Sequence, residues 1–127
     1  MRLDEATGVS VADVTHSRFS AMPADTTVAE VAAWFADSDS HNMAVLADAD
    51  GRYAGSLVPA DLEGAEPATP AAELATTDFT VAPGDPASLA EERALSTPAR
   101  RVPVVDHDGR LVGIVAVTAD LQRFCGT

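Results

Sequence analysis

The stretch Arg101-Val-Pro-Val-Val-Asp-His-Asp-Gly-Arg-Leu-Val-Gly-Ile-Val-Ala-Val-Thr-Ala-Asp-Leu121 is two apolar runs around a tight turn, and an earlier, weaker copy of it decides the fold. Met43-Ala-Val-Leu-Ala-Asp-Ala-Asp-Gly-Arg-Tyr-Ala-Gly-Ser-Leu-Val-Pro-Ala-Asp-Leu62 carries the same signs. Asp48, Asp50, Gly51, Arg52 and Gly55 return 58 residues later as Asp106, Asp108, Gly109, Arg110 and Gly113, and Asp61-Leu62 return 59 residues later as Asp120-Leu121. The chain is an internal duplication, in which each half is one supersecondary unit that cannot bury its apolar face alone.

Around each turn the pattern predicts a β-hairpin: Met43 to Ala47 with Tyr53 to Val58, and Val102 to Val105 with Leu111 to Val117. Upstream, Thr27-Val-Ala-Glu30 reads as a capping box, and Val28, Val31, Ala32 and Phe35 follow on one helical stripe until Asp37-Ser-Asp-Ser40 ends it. Ser88-Leu-Ala-Glu91 reads as the second capping box, Pro98 as the end of its helix, and Phe79-Thr-Val81 as a short strand. Pro59 suits the first turn of a helix through Asp61 and Leu62, because its missing N–H would be unpaired there. Each unit is then strand, helix, strand, strand, helix. Glu63-Gly-Ala-Glu-Pro-Ala-Thr-Pro70 lacks periodicity and is the connector. The predicted organisation is a lead segment over 1–10, repeat one over 11–66 and repeat two over 67–127, sharing one core in an α/β fold.

Composition excludes several functions. Among 127 residues there are eight Arg, no Lys and twenty acids, a formal charge of −12. Such a field repels nucleic-acid phosphates and anionic lipid, so neither is an expected partner. Lysine-free chains offer neither a P-loop lysine nor a Schiff base. The acidity fits salt adaptation and coding bias equally. The single Cys125 allows no internal disulfide and no cysteine metal cluster, and no apolar run reaches the roughly 20 residues of a membrane span; a cytoplasmic location is expected.

The Pro-Val-Val-Asp hairpin followed by Gly-Ile-Val and a closing Asp-Leu, in tandem copies, resembles the cystathionine β-synthase (CBS) domain pair, or Bateman module. Val11-Ala-Asp-Val-Thr15 and Pro70-Ala-Ala-Glu-Leu74 resemble the lead-ins of the two copies. The resemblance implies two β-α-β-β-α repeats packed around a pseudo-two-fold axis, probing an adenosine-containing ligand in the clefts between them, with regulation of a partner protein rather than catalysis as the output. The ligand candidates it implies are AMP, ADP, ATP and S-adenosylmethionine, none of them a required cofactor. Net acidity ranks AMP ahead of ATP. A homodimer is also implied, and Trp34, lying off the Val28, Val31, Phe35 stripe, is its candidate contact.

By the same resemblance Asp61 and Asp120 stand where the family's acid meets ribose hydroxyls. Val58 and Val117 stand where a hydroxyl is expected three residues earlier; Thr118, two before Asp120, either re-aims that hydroxyl or caps a helix. Val102 and Pro103 would line a base pocket, with Arg101 nearest the phosphates, where a guanidinium can clamp bidentately. Simpler readings stand beside these: a carboxylate in a first helical turn is favoured by the helix dipole, and exposed arginines offset an acidic surface. A second function follows from Val58 and Val117, namely a degenerate, ligand-free module for dimerisation or docking.

Other chemistry finds little support. His16, His41 and His107 have no helical metal spacing, and Asp48-Ala-Asp-Gly51 fails as a calcium loop because Leu46 and Leu57 occupy required carboxylate positions, so no metal site is expected. Neither Cys125 nor any Ser lies in a nucleophile motif, and the chain is not expected to be an enzyme. Replacement Trp34→Ala should dissociate the expected dimer in sedimentation experiments; an intact dimer removes Trp34 from the interface.

Overall fold

In the computed structural model of the chain, residues 1–5 and 7–125 are described. The main elements run α1 (Val11–Val14), β1 (Ala21–Pro23), α2 (Val28–Asp37), β2 (Ala44–Ala47), β3 (Tyr53–Leu57), a 3-10 turn (Pro59–Leu62), a second 3-10 turn (Ala71–Glu73), α3 (Ala87–Leu95), β4 (Arg101–Val105) and β5 (Leu111–Ala116). They form two compact units, Ser20–Asp78 and Met1–Phe19 with Phe79–Thr127. Among the described residues no helix is long and apolar enough to cross a membrane.

Within Ser20–Asp78 the local signals act as read. Thr27 Oγ1 accepts the Glu30 N–H at 3.3 Å, while the Glu30 carboxylate accepts the Thr27 N–H at 3.1 Å, so both open amides of the helix start are satisfied. Strand β1 lies parallel to β2, and β2 antiparallel to β3. Val31, Ala44, Leu46, Leu57 and Ala71 form the core of this unit.

Three expectations fail in the other unit. Helix α3 begins at Ala87 with Pro86 as its cap, leaving Ser88 inside the helix; the Ala87 N–H goes to the Val9 carbonyl at 2.8 Å, which replaces the expected side-chain cap. Phe79 to Val81 contributes a single bridge, Val81 beside Val104, rather than a strand. Among the described residues no helix follows β5. Leu121 takes φ 61°, a left-handed conformation that stops a helix, and its N–H closes a turn on the Thr118 carbonyl at 2.9 Å. The chain therefore doubles back, Val117 pairs with Phe124, and Phe124 sinks to 2% exposure in the core with Val102, Val104 and Val115.

The duplication holds at atomic detail. Asp48 Oδ1 accepts the N–H groups of Asp50 and Arg52, and Asp106 Oδ1 those of Asp108 and Arg110, every distance being 2.9 Å. Gly51 and Gly109 supply φ values of 80° and 83° in these turns. The matching register irregularities fall at Leu46/Ala47 and Val104/Val105. The Arg110 N–H, foremost, holds the Asp106 carboxyl below its ordinary value.

The compact units do not follow the repeat bounds 11–66 and 67–127, because the lead-ins are exchanged. His16 exchanges two backbone hydrogen bonds with Ile114 (2.8 and 3.0 Å), so the first copy's lead-in closes on the second copy's hairpin. Thr76 does the same with Ser56 (both 2.9 Å), so the second copy's lead-in closes on the first hairpin. Both approaches require a missing Cβ: one built at Gly113 would lie 2.2 Å from Thr15 Cγ2 and 3.0 Å from the His16 carbonyl oxygen, and one at Gly55 would lie 2.5 Å from Ala75 Cβ. We expect Gly113→Ala to cost more than about 2 kcal/mol in urea denaturation, through overpacking against backbone. Gly84→Ala, with open space and no positive φ, should change stability by less than about 0.5 kcal/mol.

Candidate functional site

Arg101 stands at the start of β4 opposite Ala116, and Thr118 and Asp120 lie in the turn that follows β5. Alternation along β4 directs Val102 and Val104 into the core and puts Arg101 and Pro103 on the opposite face. Arg101 pairs with Ala116, whose carbonyl accepts the Cys125 N–H at 2.7 Å, so the returning chain end lies beside the guanidinium. Arg101 is half-buried, and among the described residues no carboxylate pairs with it. Burial, first, lowers its pKa; the Cys125 thiol opposes this and neighbouring Arg100 adds to it.

Arg100 is differently engaged. Its backbone sits at φ 54°, its Nε donates to the Val117 carbonyl at 3.3 Å, and its own carbonyl accepts the Val117 N–H at 2.9 Å. It fastens the strand end rather than offering a free fork. No sequence signal marked this left-handed position, which lies in the turn that follows α3, where the Arg100 N–H bonds the Thr97 carbonyl at 3.0 Å.

Asp120 lies in the turn that replaces the helix, not in a first helical turn. Its Oδ1 accepts the Thr118 hydroxyl at 2.5 Å and the Gln122 N–H at 3.1 Å. These two bonds, Thr118 foremost, hold the carboxyl below its ordinary value, with Arg123 contributing through its charge. Thr118 Oγ1 also accepts the Arg123 N–H at 3.2 Å, so the hydroxyl caps a turn rather than a helix. In the first copy, Asp61 Oδ2 accepts the Val58 N–H at 2.8 Å and thereby closes its own 3-10 turn.

Thr118 and Asp120 thus share one chain reversal, Arg101 stands in the adjoining strand β4, and Asp61 belongs to Ser20–Asp78. Val102, expected to line a base pocket, is 0% exposed in the core, and Pro103 is also fully buried. Both support the site from within and present no surface in this unit. Among the described residues no group of three or more His, Cys, Asp or Glu is placed to hold a metal ion.

Residues 71–118 match the family model of the CBS domain. No curated protein matches the chain. Among solved structures, the cystathionine β-synthase pair domain of a putative Mg2+ transporter from Shewanella oneidensis aligns with a TM-score of 0.73 at 22% identity, covering 89% of this chain and 68% of that one. A CBS domain protein from Pyrobaculum aerophilum, complexed with AMP, aligns at 0.68 and 26% identity over 85% of this chain and 87% of its own. The cytosolic domain of the Mg2+ channel MgtE, in complex with ATP, aligns at 0.67 and 26% identity over 84% and 45% respectively. Residues 71–118 thus match the CBS domain, and the chain as a whole has the fold of these CBS-pair structures.

Proposed function

We propose that this CBS pair is a regulatory, non-catalytic module that binds an adenosine-containing ligand at the Arg101/Asp120 end of the β4–β5 hairpin and passes the binding event to a partner protein. The observation that carries this reading is Arg101, a half-buried guanidinium that, among the described residues, has no carboxylate partner in a chain holding twenty acids. A cation left unpaired amid such an excess of acids is available to a phosphate, with which it forms charge-assisted paired bonds. Asp120, ionised and exposed, supplies an acceptor for ribose hydroxyls nearby. Similar proteins in complex with AMP and with ATP support the ligand class. The net charge of −12 favours AMP over ATP, and S-adenosylmethionine lacks the phosphate Arg101 would meet.

The second reading, a ligand-free module for dimerisation or docking, rests on one observation. The Thr118 hydroxyl already serves Asp120 and the Arg123 N–H, and Val58 and Val117 offer nothing in its place. A thermal-shift titration with AMP, ADP, ATP, S-adenosylmethionine and adenosine separates the two. A ligand bound only by the folded state adds about 2.7 kcal/mol at a hundredfold excess over its Kd. We expect AMP to raise Tm, Arg101→Leu to abolish the shift, and Asp120→Ala to weaken it; no shift with any ligand favours the docking module.

The acid dependence has a defined sign. A carboxyl whose folded value is depressed contributes stability that is present above its unfolded value and lost as pH falls through the folded one. Asp120 therefore stays ionised to lower pH than an ordinary carboxylate. Thr118→Val removes the leading cause, so the Asp120 carboxyl titration followed by NMR should move up, toward the ordinary value.

A further inference from the structure

Charge is divided very unequally between the two compact units. Ser20–Asp78 holds one arginine, Arg52, against eleven carboxylates, a net of −10; the remaining seven arginines and nine carboxylates, a net of −2, lie in the other unit. The acidic unit also carries an open recess of about 600 Å³ where the C-terminal end of α2 meets the Pro59–Leu62 turn. Phe35, Ala36, Pro59 and Leu62 contribute its apolar lining, and Asp39 and Glu63 its acids. Phe35 and Leu62 are only partly buried against the core beneath them, while Ala36 and Pro59 are exposed.

The helix itself points to a cation. A helix C-terminus carries partial negative charge and is stabilised by basic residues in its last turn. Helix α2 has none there; it ends on Asp37, with Asp39 two residues on. His41 closes the end only in part, its Nδ1 lying 2.6 Å from the Trp34 carbonyl oxygen with its ring stacked on Trp34 at 4.0 Å. Acids clustered around a helix C-terminus disfavour the isolated unit and favour a bound positive charge.

We propose that this recess docks a basic, amphipathic segment of a partner protein, its apolar side chains on Phe35, Ala36, Pro59 and Leu62 and its Lys or Arg groups against Asp39, Glu63 and the end of α2. A second copy of the chain, packed through the same recess, is the poorer occupant, because it would bring Asp39 and Glu63 against their own counterparts on a unit of net −10. The stacked His41 also covers one face of the Trp34 ring that was the candidate dimer contact. The nucleotide proposal is separate, since its residues belong to the unit rich in arginine.

The test uses the full chain without nucleotide and a fluorescein-labelled peptide of lysine and leucine at helical spacing, followed by anisotropy at physiological salt. Asp39→Lys with Glu63→Lys should weaken binding about tenfold, whereas Glu66→Lys with Glu73→Lys, the same change of net charge on the same unit, should weaken it less than about threefold. Ala36→Gln, an exposed position tolerant of helix-forming residues, should also weaken binding by obstructing the apolar floor. Equal losses from the two charge pairs, or no binding, overturn the proposal. So does a dimer, seen by light scattering, that Ala36→Gln dissociates and the peptide does not displace, since the recess then belongs to a second copy.

Discussion

The arrangement rests on two places where the backbone passes a glycine too closely for any side chain. At Gly113 the lead-in of the first copy crosses the second hairpin and pairs with Ile114; at Gly55 the lead-in of the second copy crosses the first and pairs with Ser56. Since protein interiors are packed near crystal density, a methyl group at either place has nowhere to go without moving a strand. Each copy's hairpin is thereby completed by chain from the other copy. This explains how two short repeats stay folded: a hairpin is marginal alone, and here it gains a neighbouring strand segment and a helix whose connectivity begins in the other half.

The same closure shapes the candidate site. With Phe124 drawn into the core, the chain end turns back along β5, and the turn needed for this reversal places Thr118, Asp120 and Arg123 together. Arg101 ends up half-buried, and among the described residues no carboxylate pairs with it, although acids outnumber bases in the chain by twenty to eight. Burial raises the cost of leaving a charge unpaired, so this cation favours an anion beside it. In Ser20–Asp78 the excess of acid is larger, one arginine standing among eleven acids, and the demand is for positive charge.

Much of the local structure was legible from residue types. The Asp-x-Asp-Gly turns, the Thr27/Glu30 capping box and the hairpin runs are short-range chemistry, in which a side chain satisfies backbone amides two to four residues away. Where a tertiary partner could replace a local one, the local reading failed. The helix expected to start at the Ser88/Glu91 capping box starts instead at Ala87, whose N–H is taken by the Val9 carbonyl, and burial of Phe124 outweighed a closing helix after Asp120.

The sequence by itself determined the duplication, the two hairpins and their turns, the α/β class and the acidic character, because periodicity, turn residues and charge act locally or by simple count. Only the tertiary structure decided which lead-in completes which hairpin, that Val102 and Pro103 are interior, that Thr118 bonds to Asp120, and that Arg101 has no carboxylate partner. Those outcomes depend on residues far apart in the chain competing for the same buried space and the same hydrogen-bonding groups, a competition that no single stretch of sequence records.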